Sequence, residues 1–447
     1  MRQLIVRRSG PLRGTVSVPG DKSISHRALL LSALAEGDTA VSGWLAAEDC
    51  QATLRCIRAL GAEVEQPGAT DLLVHGVGLR GLCEPADVLN CGGSGTTMRL
   101  LAGILAGQPF LSVLTGTAVL RRRPMARVAE PLRQMGAQVL GRQGGRLPPL
   151  AVQGGALHGF EYSLPVASAH VKSALLLAGL FAEGETTIHE PGPARDHTER
   201  MLRLFGLDVR VDGATICLVG GQSLRTPRGG RALGQITVPA DYSSAAFPLI
   251  AATLVPGSKV QVSGVCVNPT RTGLSDLLAG MGACLTTLSR ADRPAADDGA
   301  GEPVADLLAQ ACALTATTVG GDLVVRAIDE FPIFTVAATQ ALGTTTVRDA
   351  TELRVKETDR IGAVAQELAK MGARIDEQPD GMLIHGPARL HGAVVDCHHD
   401  HRLAMALAVA GLVADGDTVV QDAGFIDDSF PGFVETMQAL GADITWA

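Results

Sequence analysis

The chain has 447 residues and a formal net charge of −8, with 46% of its residues hydrophobic and 19% charged. This composition excludes a disordered chain, and the length predicts two domains because one domain typically holds ~100–200 residues. The acidic balance argues against a nucleic-acid-binding surface, which needs many Lys and Arg to neutralise phosphates. The longest apolar runs, such as Leu403–Ala414, are shorter than the ~20 residues of a membrane span. We therefore expect a soluble cytoplasmic protein without a nucleic-acid or membrane partner, whose nine cysteines stay reduced.

An internal repeat organises the chain. The segments LGAEV, MGAQV, FGLDV, MGACL, MGARI and LGADI begin at residues 60, 135, 205, 281, 371 and 440, and a glycine in this context is typical of a helix end. Each is preceded by a strand, a small or polar turn and a helix with polar early residues. The repeat predicts six β-α-β-α units with further strands, and therefore an α/β fold. The units are too long for a solenoid array, whose repeats hold ~20–50 residues.

Polar and charged residues collect at the predicted start of the first helix of each repeat unit, which we call its opening helix. Helix N-termini carry a partial positive charge and unpaired N–H groups, so these positions favour anions. Basic residues also fill the loops that follow, and Arg binds phosphate and carboxylate in a bidentate manner. The pattern predicts binding of small polyanions. The residues concerned are Lys22, Ser23, Ser25, His26 and Arg27; Ser94, Gly95, Thr96, Thr97 and Arg99; Ser168, His170 and Lys172; Asp400, His401 and Arg402; Arg121, Arg122 and Arg123; Arg195 and Asp196; and Arg354, Lys356, Glu357, Asp359 and Arg360.

Three other patterns have more ordinary interpretations. The glycine-rich segment 92–97 lacks both the Walker and the dinucleotide spacing, so nucleotide binding is disfavoured. A predicted turn contains four adjacent possible metal ligands, His398, His399, Asp400 and His401. Adjacent residues in a turn rarely converge on one ion, so we expect core or turn histidines and no metal. The Pro-, Ala-, Asp- and Gly-rich insert Ala291–Thr315 predicts a surface loop.

Eight segments in chain order carry a resemblance to one family. They read PGDKSISHRALLLSALAEG, GSGTTMRLLAG, RRRPMARV, SAHVKSALLLAGL, RDHTERML, DEFPI, RVKETDRI and DHRLAMA. Together they closely resemble the 5-enolpyruvylshikimate-3-phosphate synthases, from about residue 4 to the C-terminus. The resemblance implies two similar globular domains of three repeat units each, in the inside-out α/β barrel arrangement of enolpyruvyl transferases. It puts one domain at 1–19 plus 240–447 and the other at 20–239, with the chain crossing near Pro19–Gly20 and Pro239–Ala240 and the active site in the cleft.

The same resemblance implies a reaction and the residues that perform it. The enzyme would move the enolpyruvyl group of phosphoenolpyruvate to the 5-hydroxyl of shikimate 3-phosphate through a tetrahedral intermediate, as a monomer without cofactor or metal, and would be a target of the inhibitor glyphosate. Lys22, Asp329 and Glu357 would be catalytic, with Asp329 the base on the 5-hydroxyl and Glu357 a candidate for proton movement at the methylene carbon. Shikimate 3-phosphate would bind Lys22, Ser23, Arg27, Ser168, Ala169, His170, Arg195, Asp329 and Lys356. Phosphoenolpyruvate would bind Lys22, Gly95, Arg123, His170, Arg360 and Arg402.

Several positions depart from the family pattern. The family usually has Asn at Gly93, Asp at Thr117, Gln at His170 and often Lys at Asp427 or Asp428. A neutral His offers one donor and one acceptor in a tautomer set by its surroundings, unlike a Gln side chain. Weaker phosphoenolpyruvate binding, pH-dependent activity and an altered response to glyphosate are the hypotheses that follow.

Two alternative functions stay open at this point. One is a paralogous enolpyruvyl transferase with another acceptor, such as the related enzyme that uses UDP-N-acetylglucosamine. That family opens with a Lys-Asn pair and has a reactive Cys in a loop, whereas here Ser23 follows Lys22 and Arg121–Pro124 contains no Cys. The other is a catalytically weakened binding protein of the same fold, against which the acid–base residues Asp329 and Glu357 argue.

Overall fold

The computed structural model describes residues 2–227, 233–289 and 301–447. Over these residues 24 strands are formed. They are β1 (Leu4–Val6), β2 (Arg13–Val16), β3 (Glu36–Ser42), β4 (Val64–Gly68), β5 (Asp71–Val77), β6 (Leu89–Asn90), β7 (Leu111–Thr115), β8 (Gln138–Gly141), β9 (Leu147–Gln153), β10 (Glu161–Ser163), β11 (Glu185–His189), β12 (Val209–Asp212), β13 (Thr215–Val219), β14 (Gly234–Thr237), β15 (Lys259–Cys266), β16 (Cys284–Ser289), β17 (Val304–Gln310), β18 (Thr318–Val319), β19 (Gly343–Val347), β20 (Arg374–Gln378), β21 (Gly381–Gly386), β22 (Val394–Asp396), β23 (Thr418–Gln421) and β24 (Ile444–Trp446).

The same residues form 14 helical segments, of which α5 is a single irregular turn. They are α1 (Lys22–Leu34), α2 (Glu48–Ala59), α3 (Gly95–Ala106), α4 (Ala126–Gln134), α5 (Arg142–Gly145), α6 (Ala169–Gly179), α7 (His197–Leu204), α8 (Tyr242–Leu254), α9 (Gly273–Gly280), α10 (Asp322–Arg326), α11 (Phe331–Thr339), α12 (Arg360–Lys370), α13 (His401–Gly411) and α14 (Phe433–Ala439). Short 3₁₀ helices cover Leu120–Arg122, Thr351–Val355 and Ala423–Asp428. No helix in the described ranges is long and apolar enough to cross a membrane.

The predicted repeat is present in the backbone. The glycines of the six LGA-type segments follow α2, α4, α7, α9, α12 and α14, and their φ angles lie between 81° and 110°. This left-handed conformation costs glycine little because it has no Cβ, and it ends a helix by satisfying its last carbonyls. The prediction of helix ends at these glycines is confirmed.

Contacts divide the chain into two compact units. The first comprises Met1–Pro19, Pro239–Ala295 and Pro303–Ala447, and the second comprises Gly20–Val238 and Ala296–Glu302. Each unit contains three four-stranded sheets, and in every sheet one edge strand pairs in parallel with its neighbour while the other pairings are antiparallel. In four sheets the parallel pair flanks a buried helix, whereas β14 pairs with β3 and β2 pairs with β15. The predicted α/β class is confirmed, with sheets of mixed direction.

Three buried helices lie in each unit. In the first unit these are α8, α11 and α13, and in the second α1, α3 and α6. In the second unit the three helices are rich in Ala, Leu and Gly and contain no Phe, Tyr or Trp, which permits close packing, whereas α8 and α11 bury Tyr242, Phe247, Phe331 and Phe334. At Gly103 of α3, a Cβ would lie 2.1 Å from the carbonyl oxygen of Ala174 in α6, so only glycine permits this backbone approach. The polar first turns of these helices carry most of the predicted site residues.

Two further expectations can be compared with the structure. The predicted surface loop at Ala291–Thr315 is wrong for Val304–Gln310, which form β17 between β16 and β15. Alternating burial along this strand overrides the loop-like composition before it. Residues 291–300 of that insert lie outside the described residues. All nine cysteines are free thiols, and five of them are buried.

Candidate active site

A group of paired charges lies in the first unit, and we call it the ion-pair cluster. Asp329 precedes α11, Lys356 and Glu357 follow the second 3₁₀ helix, and Arg360 begins α12. Arg360 donates to Glu357 Oε2 at 2.9 Å and approaches Asp329 Oδ1 at 3.4 Å. Asp329 also lies 4.0 Å from Lys356 Nζ and 3.7 Å from Arg402 Nη2. The structure therefore brings together five of the predicted site residues.

Asp400, which the sequence placed at a helix start without a catalytic or substrate-binding role, completes the ion-pair cluster. Its side chain is fully buried and accepts from Arg360 Nε at 2.8 Å and Nη2 at 3.3 Å. The same carboxylate caps α13 by accepting from the backbone N–H of Arg402 at 2.9 Å. The sequence showed Asp400 as a polar residue at a helix start, but it gave no sign that the carboxylate pairs with Arg360.

The carboxylates of this cluster keep the Arg360 guanidinium charged. Burial alone would lower the pKa of Arg360, but Asp400, Glu357 and Asp329 outweigh that effect and raise the pKa above its ordinary value. Arg360 has 2% of its side chain exposed, whereas the side chains of Asp329 and Glu357 are 18% and 25% exposed. The arginine is thus an anchored cation, and the two carboxylates remain accessible to a ligand.

In the second unit, α1 carries three predicted residues on its first turns. Lys22 begins the helix after its cap Asp21, whose Oδ1 accepts from Ile24 N at 3.0 Å. Lys22 Nζ donates to Asp49 Oδ2 at 3.1 Å, and both side chains are less than one-fifth exposed. Asp49, at the start of α2, is a second residue that the sequence did not indicate.

Arg27 is buried in a network of neutral acceptors, which we call the Arg27 network. Its guanidinium donates to Thr198 Oγ1 at 2.7 Å, Ser173 Oγ at 2.6 Å and the Ser23 carbonyl at 2.9 Å. Burial lowers the pKa of Arg27 to about 10, against the raising effect of nearby Glu199. Among the described residues the Arg27 guanidinium donates to neutral oxygens, so its charge remains available to an anion.

The glycine-rich loop leads into α3 beside two arginines. Ser94 caps the helix by accepting from Thr97 N at 3.1 Å. At Gly95, a Cβ would lie 2.7 Å from Arg99 Nη1 and 2.9 Å from Arg123 Nη1. A side chain at this position would displace the two guanidinium groups from the helix N-terminus, where N–H groups favour anions.

The start of α6 lies near the same loop. Ser168 is the N-cap residue of α6, and Ala169 and His170 are its first two residues. His170 Nε2 is 3.0 Å from Thr96 Oγ1. Arg195 precedes α7 and is half-buried. The predicted residues of the second unit are thus distributed over the first turns of α1, α3 and α6 and the loop before α7.

A chain of buried hydrogen bonds supports this glycine-rich loop. His26 Nδ1 is 2.7 Å from Thr53 Oγ1, which is 2.7 Å from Thr97 Oγ1, and Thr97 donates to Ser94 Oγ at 2.8 Å. Burial, Lys22 and Arg27 together lower the pKa of His26 well below its ordinary value. The imidazole is therefore neutral, and this series of hydrogen-bonded side chains from His26 to Ser94 carries no net charge.

The adjacent histidines point to separate partners. His398 Nε2 is 2.8 Å from Glu367 Oε1, His399 Nδ1 is 3.1 Å from Asp422 Oδ2, and Asp400 serves Arg360. A different group in the described part of the chain, Glu63, Glu65 and His75, has ligand atoms within 4.8 Å of one another. It lies largely exposed on the strands of a surface hairpin.

Comparison with known proteins agrees with this arrangement. Residues 6–437 match the family model described as EPSP synthase (3-phosphoshikimate 1-carboxyvinyltransferase). The chain belongs to the EPSP synthase family. It is 52% identical over 440 residues to the 3-phosphoshikimate 1-carboxyvinyltransferase of Citrifermentans bemidjiense, covering 98% of this chain and 99% of that protein. The corresponding protein of Desulforamulus reducens is 50% identical over 439 residues, with the same shares covered.

Solved EPSP synthase structures share the fold. One from Acinetobacter baumannii has a TM-score of 0.87 and 43% sequence identity, and the alignment covers 100% of both chains. A second structure of the enzyme from the same organism has a TM-score of 0.86 and 43% identity, with 99% of that chain covered. The resemblance first drawn from eight short segments is confirmed over the whole chain.

The positions that depart from the usual EPSP synthase pattern have distinct surroundings. At Gly93, a Cβ would meet its nearest atom, Asp49 Oδ1, only at 4.0 Å, so a side chain would fit there. Thr117 N donates to the Gly92 carbonyl at 2.8 Å. Asp427 forms a surface ion pair with Arg2 at 2.9 Å. Of these departures, His170 touches the glycine-rich loop directly through its side chain.

Proposed function

We propose that this chain transfers the enolpyruvyl group of phosphoenolpyruvate to the 5-hydroxyl of shikimate 3-phosphate, releasing inorganic phosphate. The observation that carries the proposal most directly is the position of Asp329. Its carboxylate is accessible and lies within 4.0 Å of the cationic groups of Lys356, Arg360 and Arg402. A base surrounded by cations suits a reaction in which a hydroxyl must lose a proton beside a polyanionic substrate.

The binding roles follow from the residues at the helix starts. We assign shikimate 3-phosphate to Lys22, Ser23, Arg27, Ser168, Ala169, His170, Arg195, Asp329 and Lys356. We assign phosphoenolpyruvate to Lys22, Gly95, Arg123, His170, Arg360 and Arg402. The available charge of Arg27 supports the first set, and the arginines beside Gly95 support the second.

The proposed chemistry needs three proton transfers and one departing anion. Asp329 accepts the 5-hydroxyl proton as the hydroxyl oxygen attacks C2 of phosphoenolpyruvate, and C3 gains a proton to form the methyl group of the tetrahedral intermediate. Loss of a C3 proton then restores the double bond as the C–O bond to phosphate breaks. Glu357, held 2.9 Å from Arg360, is the proposed carrier of the C3 proton, and Lys22 is the third proposed catalytic residue. The arginines stabilise the phosphate as it leaves.

Phosphate release tests this function. The purified protein is mixed with phosphoenolpyruvate and shikimate 3-phosphate, beside parallel reactions with UDP-N-acetylglucosamine and with no acceptor, and the products are identified by mass spectrometry. We expect one phosphate per enolpyruvyl product in the reaction with shikimate 3-phosphate, and no phosphate release in the other two reactions. Turnover with UDP-N-acetylglucosamine would instead establish a paralogous transferase, and silence with both acceptors would establish a binding protein.

We further propose that the enzyme works as a monomer in the cytoplasm. Its nine free thiols suit a reducing compartment. Light scattering coupled to size-exclusion chromatography, with and without both substrates, measures the molar mass. A value near 46.2 kDa is expected, and a value twice as large would exclude the monomer.

A further inference from the structure

A lysine of the second unit is buried with three acceptors. Lys172 lies one turn into α6, and its side chain is only 1% exposed. Its Nζ donates to Glu190 Oε1 at 2.7 Å, pairs with Glu199 Oε1 at 2.6 Å and donates to the Ala194 carbonyl at 3.1 Å. We call Lys172, Glu190, Ala194 and Glu199 the Lys172 clamp. No role in the proposed reaction has so far been given to it.

The clamp holds the backbone of Ala194 on both sides of its Cα. Glu190 Oε2 accepts from the Ala194 N–H at 3.1 Å, and Lys172 holds the Ala194 carbonyl. That carbonyl belongs to the peptide bond that leads directly into Arg195. Between Glu190 and Ala194 the chain reads Pro-Gly-Pro, and prolines restrict the backbone on both sides of the glycine. The backbone that presents Arg195 is therefore held at its last peptide before the arginine.

Stability alone does not account for these buried charges. Burying a Lys with two Glu removes three ionised groups from water, and apolar replacements of such groups are often neutral or stabilising. Burial alone would lower the pKa of Lys172, but Glu199 and Glu190 outweigh it and raise the pKa, so the lysine stays charged. A charged, directional contact supplies what an apolar one cannot, namely a fixed orientation of the Ala194 peptide.

The clamp also adjoins the Arg27 network. Ser173 follows Lys172 on α6, and Thr198 precedes Glu199 on α7, and both hydroxyls accept from Arg27. Ser173 and Thr198 are themselves 2.7 Å apart. The same two helix turns thus orient Arg27 on one side and the approach to Arg195 on the other. Both arginines belong to the proposed shikimate 3-phosphate set.

We propose that Lys172, through Glu190 and the Ala194 peptide, is a positioning residue that sets the orientation of Arg195 toward shikimate 3-phosphate. This inference rests on the proposed function. Lys172 does not touch substrate in this role, so its loss weakens the acceptor's binding more than it slows turnover. The affinity for phosphoenolpyruvate should change little.

Steady-state kinetics of Glu190→Gln test the clamp. The amide cannot accept from both Lys172 and the Ala194 N–H, while Lys172 keeps its charge partner Glu199. We expect the KM for shikimate 3-phosphate to rise about tenfold, with kcat and the KM for phosphoenolpyruvate within about twofold of the wild type. Lys172→Met should do the same, and the double variant should exceed neither single variant, since both residues act through the backbone of Ala194.

The background variant Arg195→Ala supplies the decisive comparison. Once Arg195 is absent, adding Glu190→Gln should leave the KM for shikimate 3-phosphate unchanged. A matched control is Ile216→Val in β13, which removes a buried methylene from the sheet that contains β11 without touching the clamp. Thermal unfolding of each variant measures how much stability was lost, and the control should leave all Michaelis constants unchanged.

Each outcome decides between the two proposals. A wild-type protein without turnover rejects the proposed function, and this inference with it. Wild-type turnover with an unchanged KM in Glu190→Gln rejects the clamp alone. An equal rise in the presence and absence of Arg195, or an equal rise in Ile216→Val, also rejects it, because the effect would then be independent of Arg195.

Discussion

Two buried arginines, one in each unit, are held in opposite ways. Arg360 of the ion-pair cluster donates to the carboxylates of Asp400 and Glu357 and approaches that of Asp329. Arg27 donates to two hydroxyls and one carbonyl. Accordingly, neighbouring carboxylates raise the pKa of Arg360 despite its burial, whereas burial lowers that of Arg27 to about 10.

The difference indicates a division of labour. Neutral acceptors orient Arg27 without cancelling its charge, so an incoming anion gains most of the attraction. In the ion-pair cluster, protein carboxylates already balance the arginine, and what remains accessible is a pair of carboxylates that can accept or give protons. The Arg27 network is therefore suited to binding, and the ion-pair cluster to proton transfer.

The largest expected effect is on turnover at Asp329. Asp329→Asn retains the shape of the side chain but cannot act as a base, so kcat should fall roughly 10²–10⁴-fold, as expected for loss of general base catalysis. Phosphate release under saturating substrates measures it. Asp322→Asn, an exposed position at the start of α10, is the matched control. An unchanged kcat in Asp329→Asn would remove the proton-transfer role from this cluster.

A second prediction concerns the stability of the ion-pair cluster. Asp400→Asn keeps an acceptor for the cap of α13 but removes the charge that faces Arg360, and breaking a buried ion pair costs about 3–5 kcal/mol. Urea unfolding measures the free energy. Asp427→Asn, which breaks the exposed pair with Arg2, should cost about 0–1 kcal/mol. Equal losses in the two variants would contradict a special role for Asp400.

Acid should affect the neutral network of the second unit. The pKa of His26 is lowered in the folded protein, while an unfolded His titrates near ~6.5. Below that pH the unfolded state binds the extra proton, so the stability present above pH ~6.5 is lost as the pH falls, at up to ~1.4 kcal/mol per pH unit. His26→Asn should flatten this dependence. Urea unfolding of both proteins between pH 7.5 and pH 5.5, taken as ~1-unit steps, measures the difference.

His75 offers the opposite control for this pH dependence. Contacts with Glu65 and Asp38 raise its pKa, so its contribution is present at low pH and is lost as the pH rises through that raised pKa. His75→Asn should therefore steepen the loss of stability on acidification, and only weakly, because the side chain lies at the surface. If His26→Asn and wild type lose stability in parallel on acidification, His26 is not buried as a neutral group.

The smallest predicted effect is at His170. His170→Gln can still reach Thr96 while offering a donor and an acceptor at fixed geometry, so the KM for phosphoenolpyruvate should fall roughly two- to tenfold, the equivalent of one hydrogen bond. Thr187→Ser, on β11 away from the glycine-rich loop, is the control. Identical Michaelis constants in wild type and His170→Gln would mean that the imidazole serves phosphoenolpyruvate as well as the amide does.

Much of the fold could be predicted from local signals. The helix-ending glycines such as Gly61 and Gly372 follow from a backbone conformation that few other residues tolerate. The strand β17 was missed because the acidic, Pro-rich stretch before it resembles a loop, and only its antiparallel partners β15 and β16 reveal its place. Sheet partners distant in sequence leave no local signal.

The site could be predicted only in part for a similar reason. Residues with charges at helix starts, such as Lys22 and Arg402, stood out from an apolar sequence. Asp49 and Glu190 did not, and Asp400 was noted without its counter-charge role, because these roles depend on partners 27, 18 and 40 residues away. A buried counter-charge is defined by the fold and not by its neighbours in the chain.

The contact between Gly103 and Ala174 makes a mechanical link. Since the backbones of α3 and α6 are in contact there, the two helices pack as one rigid element, and their first turns cannot shift independently. Thr96 and His170 lie at those first turns. The spacing of the hydrogen bond between Thr96 and His170 is thus set about two helical turns away, at a residue with no side chain at all.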